Sequence, residues 1–308
     1  MRKLRQRKGL GSQEVSTCFA FSNHSHFIQL LFPKVANYRR CYHGEMPAVG
    51  VVVPTIGERP QYLDSTLKSI REAGDSYIVL VGRKGFDASS YQNEGLIDIY
   101  IDELETSVPN KINQGFRALP AGIEYITWIG DDDLLAPGSL SVVENALGKP
   151  EKPVLVYGHC QYIDSEGKDV LVKRSGSWAV PLLSFGPQLI PQPSAVFRRD
   201  SFERVGGLSD KFEFAFDFDL FLKLSKLGKA VFIDKILSSH RWHATSLTYS
   251  RRWDSVREAS LVRVLNLPSA AKFFSPIWEM PIVMVTFLAG HFLSRGSLKT
   301  TPRPLKPE

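Results

Sequence analysis

A run of six residues, AVGVVV at 48–53, constrains the fold more than any other feature. It is apolar on both faces, rich in Val and closed by Pro54, which is the pattern of a strand covered on both sides in a parallel sheet. The same kind of run returns as YIVLV at 77–81, at 97–101, and as EYITWI at 124–129. Between the runs, apolar residues recur at helical spacing. Tyr62, Leu63, Leu67 and Ile70 share one face before Gly74, Ile112 and Phe116 share one within 110–119, and the pattern returns over 139–147. Strands alternating with helices predict an α/β fold with a doubly wound, mostly parallel sheet.

The second half changes character. Residues 154–157, 160–163, 195–197 and 231–233 read as strands. Residues 199–205 form a short helix stopped by Gly206-Gly207, and 219–227 an amphipathic helix ending at Gly228. The stretch 174–195 is loop-rich, with prolines at 181, 187, 191 and 193. The chain thus divides into an N-terminal extension (1–45), a nucleotide-type half (46–150), a substrate half sharing the same sheet (151–250), and a C-terminal helical region with a basic tail (251–308).

Net charge is +6, and basic proteins attract nucleic acid, anionic lipid or phosphorylated ligands. The excess sits at the ends: MRKLRQRK at 1–8 holds five cations and no acid, and the tail after Arg295 is basic. The middle is near neutral, so a nucleic-acid partner is not expected. Cys18, Cys41 and Cys160 lie far apart without metal or CxxC spacing, as expected of reduced thiols in a cytoplasmic protein. No secretory signal is expected, since no apolar run of the needed length follows the basic start. The apolar stretch 282–293, IVMVTFLAGHFL, is shorter than the roughly 20 residues a spanning helix needs. A packing helix is expected there. The alternative is peripheral contact of residues 276–306 with a membrane surface, which Arg295, Lys299, Arg303 and Lys306 favour.

Three clusters carry chemistry. Asp131-Asp132-Asp133 follows the EYITWI strand, and ligands of open α/β sheets bind beyond the carboxyl ends of strands. Adjacent carboxylates repel and call for a cation; Mg²⁺ or Mn²⁺ accepts their oxygens and leaves positions for phosphate. Asp217 and Asp219, in FDFDLF, stand at the start of an amphipathic helix among aromatic residues. Water exclusion raises a carboxyl pKa, which suits a general base, while Asp219 is the better placed to cap the helix. In His240-Arg241-Trp242-His243, neutral His243 can complete a metal site and Arg241 can meet phosphate.

Over about residues 48–248 these segments resemble the family 2 glycosyltransferases of GT-A fold. VVVPT at 51–55 and RPQYL at 59–63 resemble the opening strand and helix start of that family, EYITWIGDDDLLAP at 124–137 its DxD-type segment, AVFRRD with VGGL at 205–208 its acceptor side, and 216–223 its catalytic-base segment. The resemblance implies inverting transfer from a nucleoside-diphosphate sugar, UDP by default, to a hydroxyl of a glycan or lipid-linked acceptor, with Mn²⁺ or Mg²⁺, in polysaccharide or glycoconjugate synthesis. It implies metal binding by Asp132; the acidic cluster and the HRWH segment themselves offer Asp133 and His243 as further ligands. By the resemblance Thr55, Glu58 and Asp131 would bind the nucleotide-sugar and Asp217 would be the base; Arg59, in the same first loop, is a further candidate for the nucleotide-sugar. Two positions depart from that pattern. VGRKG at 81–85 lacks the carboxylate that reads the base, and Phe216 replaces an acid before Asp217. A sugar nucleotidyltransferase and a non-catalytic nucleotide-sugar-binding module are the competing readings. The first wants a Gly-rich basic loop where this chain has TIGERP.

Overall fold

A computed structural model describes residues 46–242 and 251–297, the last nine as backbone only. The extension 1–45, His243 and the tail beyond 297 lie outside the described residues. The four expected strands form as β1 (Val49–Pro54), β2 (Tyr77–Gly82), β3 (Ile99–Asp102) and β4 (Tyr125–Trp128). They pair in parallel in the order β3-β2-β1-β4. Alternate residues of β1 supply opposite faces. Val51 and Val53 pack on Leu63, Leu67 and Ile70 of α1 (Pro60–Ala73), and Val52 packs toward Ile112 and Phe116 of α3 (Val108–Ala118). These side chains are fully or almost fully buried, each contributing about 1.5–3 kcal/mol of transfer energy. The α3 helix lies so close to the sheet that a Cβ at Gly115 would stand 2.9 Å from Val52 Cγ2 and 3.0 Å from Val81 Cγ2. A short helix, α2 (Ser89–Asn93), joins β2 to β3.

The chain moves from β1 outward through β2 to β3, then returns to the other side of β1 as β4. That reversal opens a crevice beyond the carboxyl ends of β1 and β4. Residues 55–59 and 129–133 fill its rim, followed by β5 (Leu134–Leu135) and α4 (Ser139–Leu147).

The second half extends the sheet with β6 (Leu155–Ile163), β7 (Asp169–Lys173), α5 (Ala179–Leu182), β8 (Ala195–Arg198), α6 (Arg199–Arg204), α7 (Phe216–Leu227) and β9 (Ala230–Arg241). β8 runs antiparallel between β4 and β6, β9 is parallel to β6, and β5 is antiparallel to β9. Several sequence expectations are corrected here. The two strands at 154–157 and 160–163 are one, irregular in register beside Gly158. β7 was not foreseen because its residues are only half buried on an edge. β9 runs from 230 to 241 rather than 231 to 233, sustained by pairing with β6 through a polar stretch. The helix expected from 219 begins at Phe216, so Asp217 lies in its first turn instead of before it.

Three helices close the described chain: α8 (Arg252–Asn266), α9 (Ser269–Phe274) and α10 (Pro276–Ser297). α10 continues through Pro281, which lies on its exposed side, so the helix is longer than the 282–293 segment the sequence suggested. Among the described residues no helix is long and apolar enough to cross a membrane.

Candidate functional site

The crevice is built by two loops that lock onto each other. Thr55 follows β1 and donates its backbone N–H to the Val81 carbonyl (2.8 Å). The chain then turns at Gly57, whose φ of 76° and whose contact with the Phe86 ring both exclude a side chain. The turn aims the Thr55 hydroxyl at Asp131 Oδ2 (2.6 Å) and delivers Arg59 to the head of α1.

Arg59 reaches across to the acidic cluster. Its Nη1 lies 2.7 Å from Asp132 Oδ2 and its Nη2 3.5 Å from Asp131 Oδ1. Asp131 is buried, and burial raises its carboxyl pKa, with the Asp132 charge adding and the Thr55 hydroxyl and Arg59 opposing. Asp132 faces the crevice more openly, its side chain 16% exposed. Asp133 turns the other way. Its Oδ1 accepts from the Arg241 N–H (2.8 Å) and lies 3.0 Å from His240 Nδ1, and its carbonyl accepts from Thr66 (2.7 Å). Burial alone would lower the His240 pKa, but the Asp133 carboxylate, helped by Asp132, outweighs it and the net shift is upward. Arg241 donates to the carbonyls of Asp132 (2.9 Å) and Asp164 (3.0 Å), and its guanidinium lies over the Tyr62 ring. It braces the acidic loop instead of facing the crevice.

Asp217 lies beside the end of the same strand, β4, through its neighbour Phe216. Phe216 packs its ring 6.1 Å from that of Trp128, the last residue of β4, while Gln192 donates to the Trp128 carbonyl (2.7 Å). Asp217 is partly exposed and accepts from the Gln188 side chain (3.1 Å) and from the Phe218 N–H (2.7 Å). Burial pushes its carboxyl above the ordinary range; Gln188, the Phe218 N–H and the charge of Lys173 work against that rise. Asp219 behaves differently. It is buried, paired with Lys223 (2.6 Å) and bonded by Asn266 of α8 (3.1 Å). It caps nothing, contrary to the sequence expectation; it ties α7 to α8.

Glu58 is exposed and paired with Arg83 (3.2 Å), at the rim. Cys160 is free and buried, and burial pushes its thiol up to about 11, as befits an inert core residue. Sequence reasoning missed Asp102. The VGRKG segment has no acid, yet Asp102 at the end of β3 is the register partner of Gly82. The Tyr100 hydroxyl holds that corner, donating to the Arg83 carbonyl (2.6 Å) and standing 3.2 Å from Asp102 Oδ1. The strand-end position of Asp102 was readable, but not which strand end it would neighbour.

No known family model matches the chain. The O-antigen biosynthesis protein RfbC of Myxococcus xanthus is 28% identical over 187 residues, 59% of this chain and 13% of that protein. An uncharacterized glycosyltransferase of Rickettsia felis is 22% identical over 213 residues, 64% of this chain and 35% of that protein. The chain therefore spans only a minor part of these relatives' length. Among solved structures, the mannosyltransferase PcManGT of Pyrobaculum calidifontis, in complex with GDP-Man and Mn²⁺, aligns with a TM-score of 0.54 at 14% identity over 91% of this chain and 83% of that one. The S. aureus TarS fragment 1–349 aligns at 0.52 and 14% over 80% and 72%. These likenesses show the fold: a GT-A-like mixed α/β architecture.

Proposed function

We propose that this chain is an inverting glycosyltransferase of the family 2 type. It moves a sugar from a nucleoside-diphosphate sugar to an acceptor hydroxyl in the synthesis of surface polysaccharide or another glycoconjugate. The observation that carries this reading is a juxtaposition. A carboxylate pair already holding a cationic group, the Arg59 guanidinium, sits at the topological switch point, and a carboxyl raised by burial, Asp217, is held beside the same strand through Phe216 and Trp128. The relatives named as a glycosyltransferase and as an O-antigen biosynthesis protein support it.

In this reading Asp217 accepts the proton of the acceptor hydroxyl as it attacks the anomeric carbon, and Gln188 orients the carboxylate. Arg59 moves from the carboxylates to the diphosphate, which a planar guanidinium recognises in bidentate fashion. Thr55 acts by fixing Asp131, and Asp131 in turn positions the loop against the nucleotide. Asp102 faces the base. A carboxylate accepts from the ring N–H that uracil and guanine carry and cytosine and adenine lack.

A divalent ion fits this donor set in one way. Among the described residues no three His, Cys, Asp or Glu side chains converge on a metal position, and Asp133 is committed to β9. Asp132 is the most exposed carboxylate of the cluster, and Arg59 Nη1 at 2.7 Å marks a cation position on it. Asp132 would hold the ion, with the diphosphate completing its shell; the ion would neutralise the charge that gathers on the leaving group.

The test is a thermal-shift series with UDP, GDP, CDP and ADP, with and without Mn²⁺, on the parent and Asp132→Ala. A nucleotide at a hundredfold excess over its Kd adds about 2.7 kcal/mol of stability. The parent should show a Mn²⁺-dependent shift that Asp132→Ala lacks. Equal shifts in the two proteins, or none with any nucleotide, overturn the reading.

A further inference from the structure

Among the described residues, the C-terminal helices leave an apolar face without a partner. On α10 the residues Ile277, Met280, Pro281, Met284, Val285 and Leu288 are all exposed, Ile277 by 72% and Val285 by 65%. Their spacing of three, one, three, one and three residues places them along one side of the helix. The other side is anchored. Glu279 is buried and paired with Arg263 of α8 (2.8 Å), Ser260 donates to it (2.6 Å), and Phe287 packs edge-on against Trp253. On the preceding α9, Phe273 is 82% exposed and packs against Phe274, which is also exposed. Contiguous exposed apolar side chains in this number mark a contact surface.

The charge pattern says what covers it. Over residues 268–288 the charged residues are Lys272, which is exposed, and Glu279, which is buried and neutralised. The stripe therefore presents no uncompensated acid. The sequence that follows adds Arg295, Lys299, Arg303 and Lys306 against a single Glu308. A face of large apolar side chains, followed in the sequence by an excess of cations, matches an anionic bilayer surface, where apolar residues enter the acyl boundary and cations meet headgroups. A protein partner covering such a face would bring acids to pair with those cations; the stripe itself offers it no polar group for register.

We propose that α9 and α10 seat this protein on the surface of an anionic bilayer, lying along it without crossing. The seat is wired to the active side of the molecule. Trp278 of α10 packs on Phe185 (6.1 Å), Arg263 donates to the Gly186 carbonyl (3.1 Å), and two residues on Gln188 bonds Asp217. Resting on the transferase reading above, this arrangement brings the loop that holds Asp217 through Gln188 to the membrane surface and selects an acceptor hydroxyl carried on an amphiphile.

The experiment is co-sedimentation of the full chain, without nucleotide or acceptor, with vesicles of phosphatidylglycerol and phosphatidylcholine and with vesicles of phosphatidylcholine alone. The parent should bind the anionic vesicles, and rising salt should weaken that binding. Ile277→Asp and Val285→Asp, both at exposed positions, should leave the unfolding midpoint unchanged and lower the partition coefficient at least tenfold each. A parent that stays in the supernatant, or variants that sediment like the parent, overturns the proposal. So does a parent dimer in light scattering that Val285→Asp dissociates, because the face would then join two copies. Failure of nucleotide binding leaves vesicle binding untouched and counts against the transferase reading alone.

Discussion

Replacing Arg59 by Ala tests the central electrostatic argument. The guanidinium stands 2.7 Å from Asp132 and 3.5 Å from Asp131 and offsets a cluster of three adjacent carboxyl groups. Two unit charges 4 Å apart interact by about 4 kcal/mol at the effective dielectric of a protein surface. Arg59 is one-third exposed, so solvent screening and side-chain entropy reduce the net loss to about 1–2 kcal/mol. For a domain of this size that is about 2–8 °C in the unfolding midpoint. Mn²⁺ alone should then stabilise Arg59→Ala more than the parent, because the vacated carboxylate position no longer holds a cation. Nucleotide affinity should move the opposite way. At saturating Mn²⁺ the variant lacks a charge-assisted bond to the diphosphate, worth about 1.5–3 kcal/mol, or about 10- to 150-fold in Kd. The assay is differential scanning fluorimetry for the first quantity and titration calorimetry with UDP or GDP for the second. If Mn²⁺ shifts both proteins equally and the nucleotide Kd changes by less than twofold, Arg59 is only a surface ion pair and the exchange from carboxylate to diphosphate is wrong.

Asp217→Asn should lower turnover by about 10²- to 10⁴-fold at saturating donor and acceptor, with donor Kd little changed. Because burial raises the Asp217 pKa, the acidic limb of the parent's pH–rate profile should lie above the ordinary carboxylate range, and a limb at an unperturbed Asp value would remove Asp217 from the role of base. The same raised pKa costs stability as pH rises through it, so Asp217→Asn should be at least as stable as the parent at neutral pH by chemical denaturation. Asp219→Ala should retain turnover per folded molecule and lose about 1–3 kcal/mol, since it leaves Lys223 and Asn266 without their buried acceptor; a variant as stable as the parent but inactive would exchange the roles of the two aspartates. His240 has a raised pKa from Asp133, so its contribution to stability is complete below the usual imidazole value and fades as pH climbs through the raised one; His240→Gln should flatten that part of the stability–pH curve, and an unchanged curve would show that the pair does not form.

The sequence by itself determined the parallel half of this protein. Strands such as VGVVVP and YIVLVG are covered on both faces, so their burial is written as an unbroken apolar run, and helices with one apolar stripe can return only over such a sheet. That fixed the carboxyl end of β4 as the place for Asp131 and Asp132, because a strand's direction is the chain's direction. It could not divide labour within the acidic triplet. Three neighbouring Asp residues look alike in sequence, yet β9 arrives from more than a hundred residues away and takes Asp133 for itself, while Arg59 crosses from the other loop to Asp132. The half-exposed strand β7 and the long β9 carry little pattern of their own, since their stability comes from pairing with β6 and not from a buried face. Asp102 became visible only when strand pairing set it opposite Gly82. The exposed side of α10 likewise needed the structure. An apolar stretch reads the same whether it packs or waits for a partner, and only the anchoring of Glu279 and Phe287 on α8 shows which face remains uncovered.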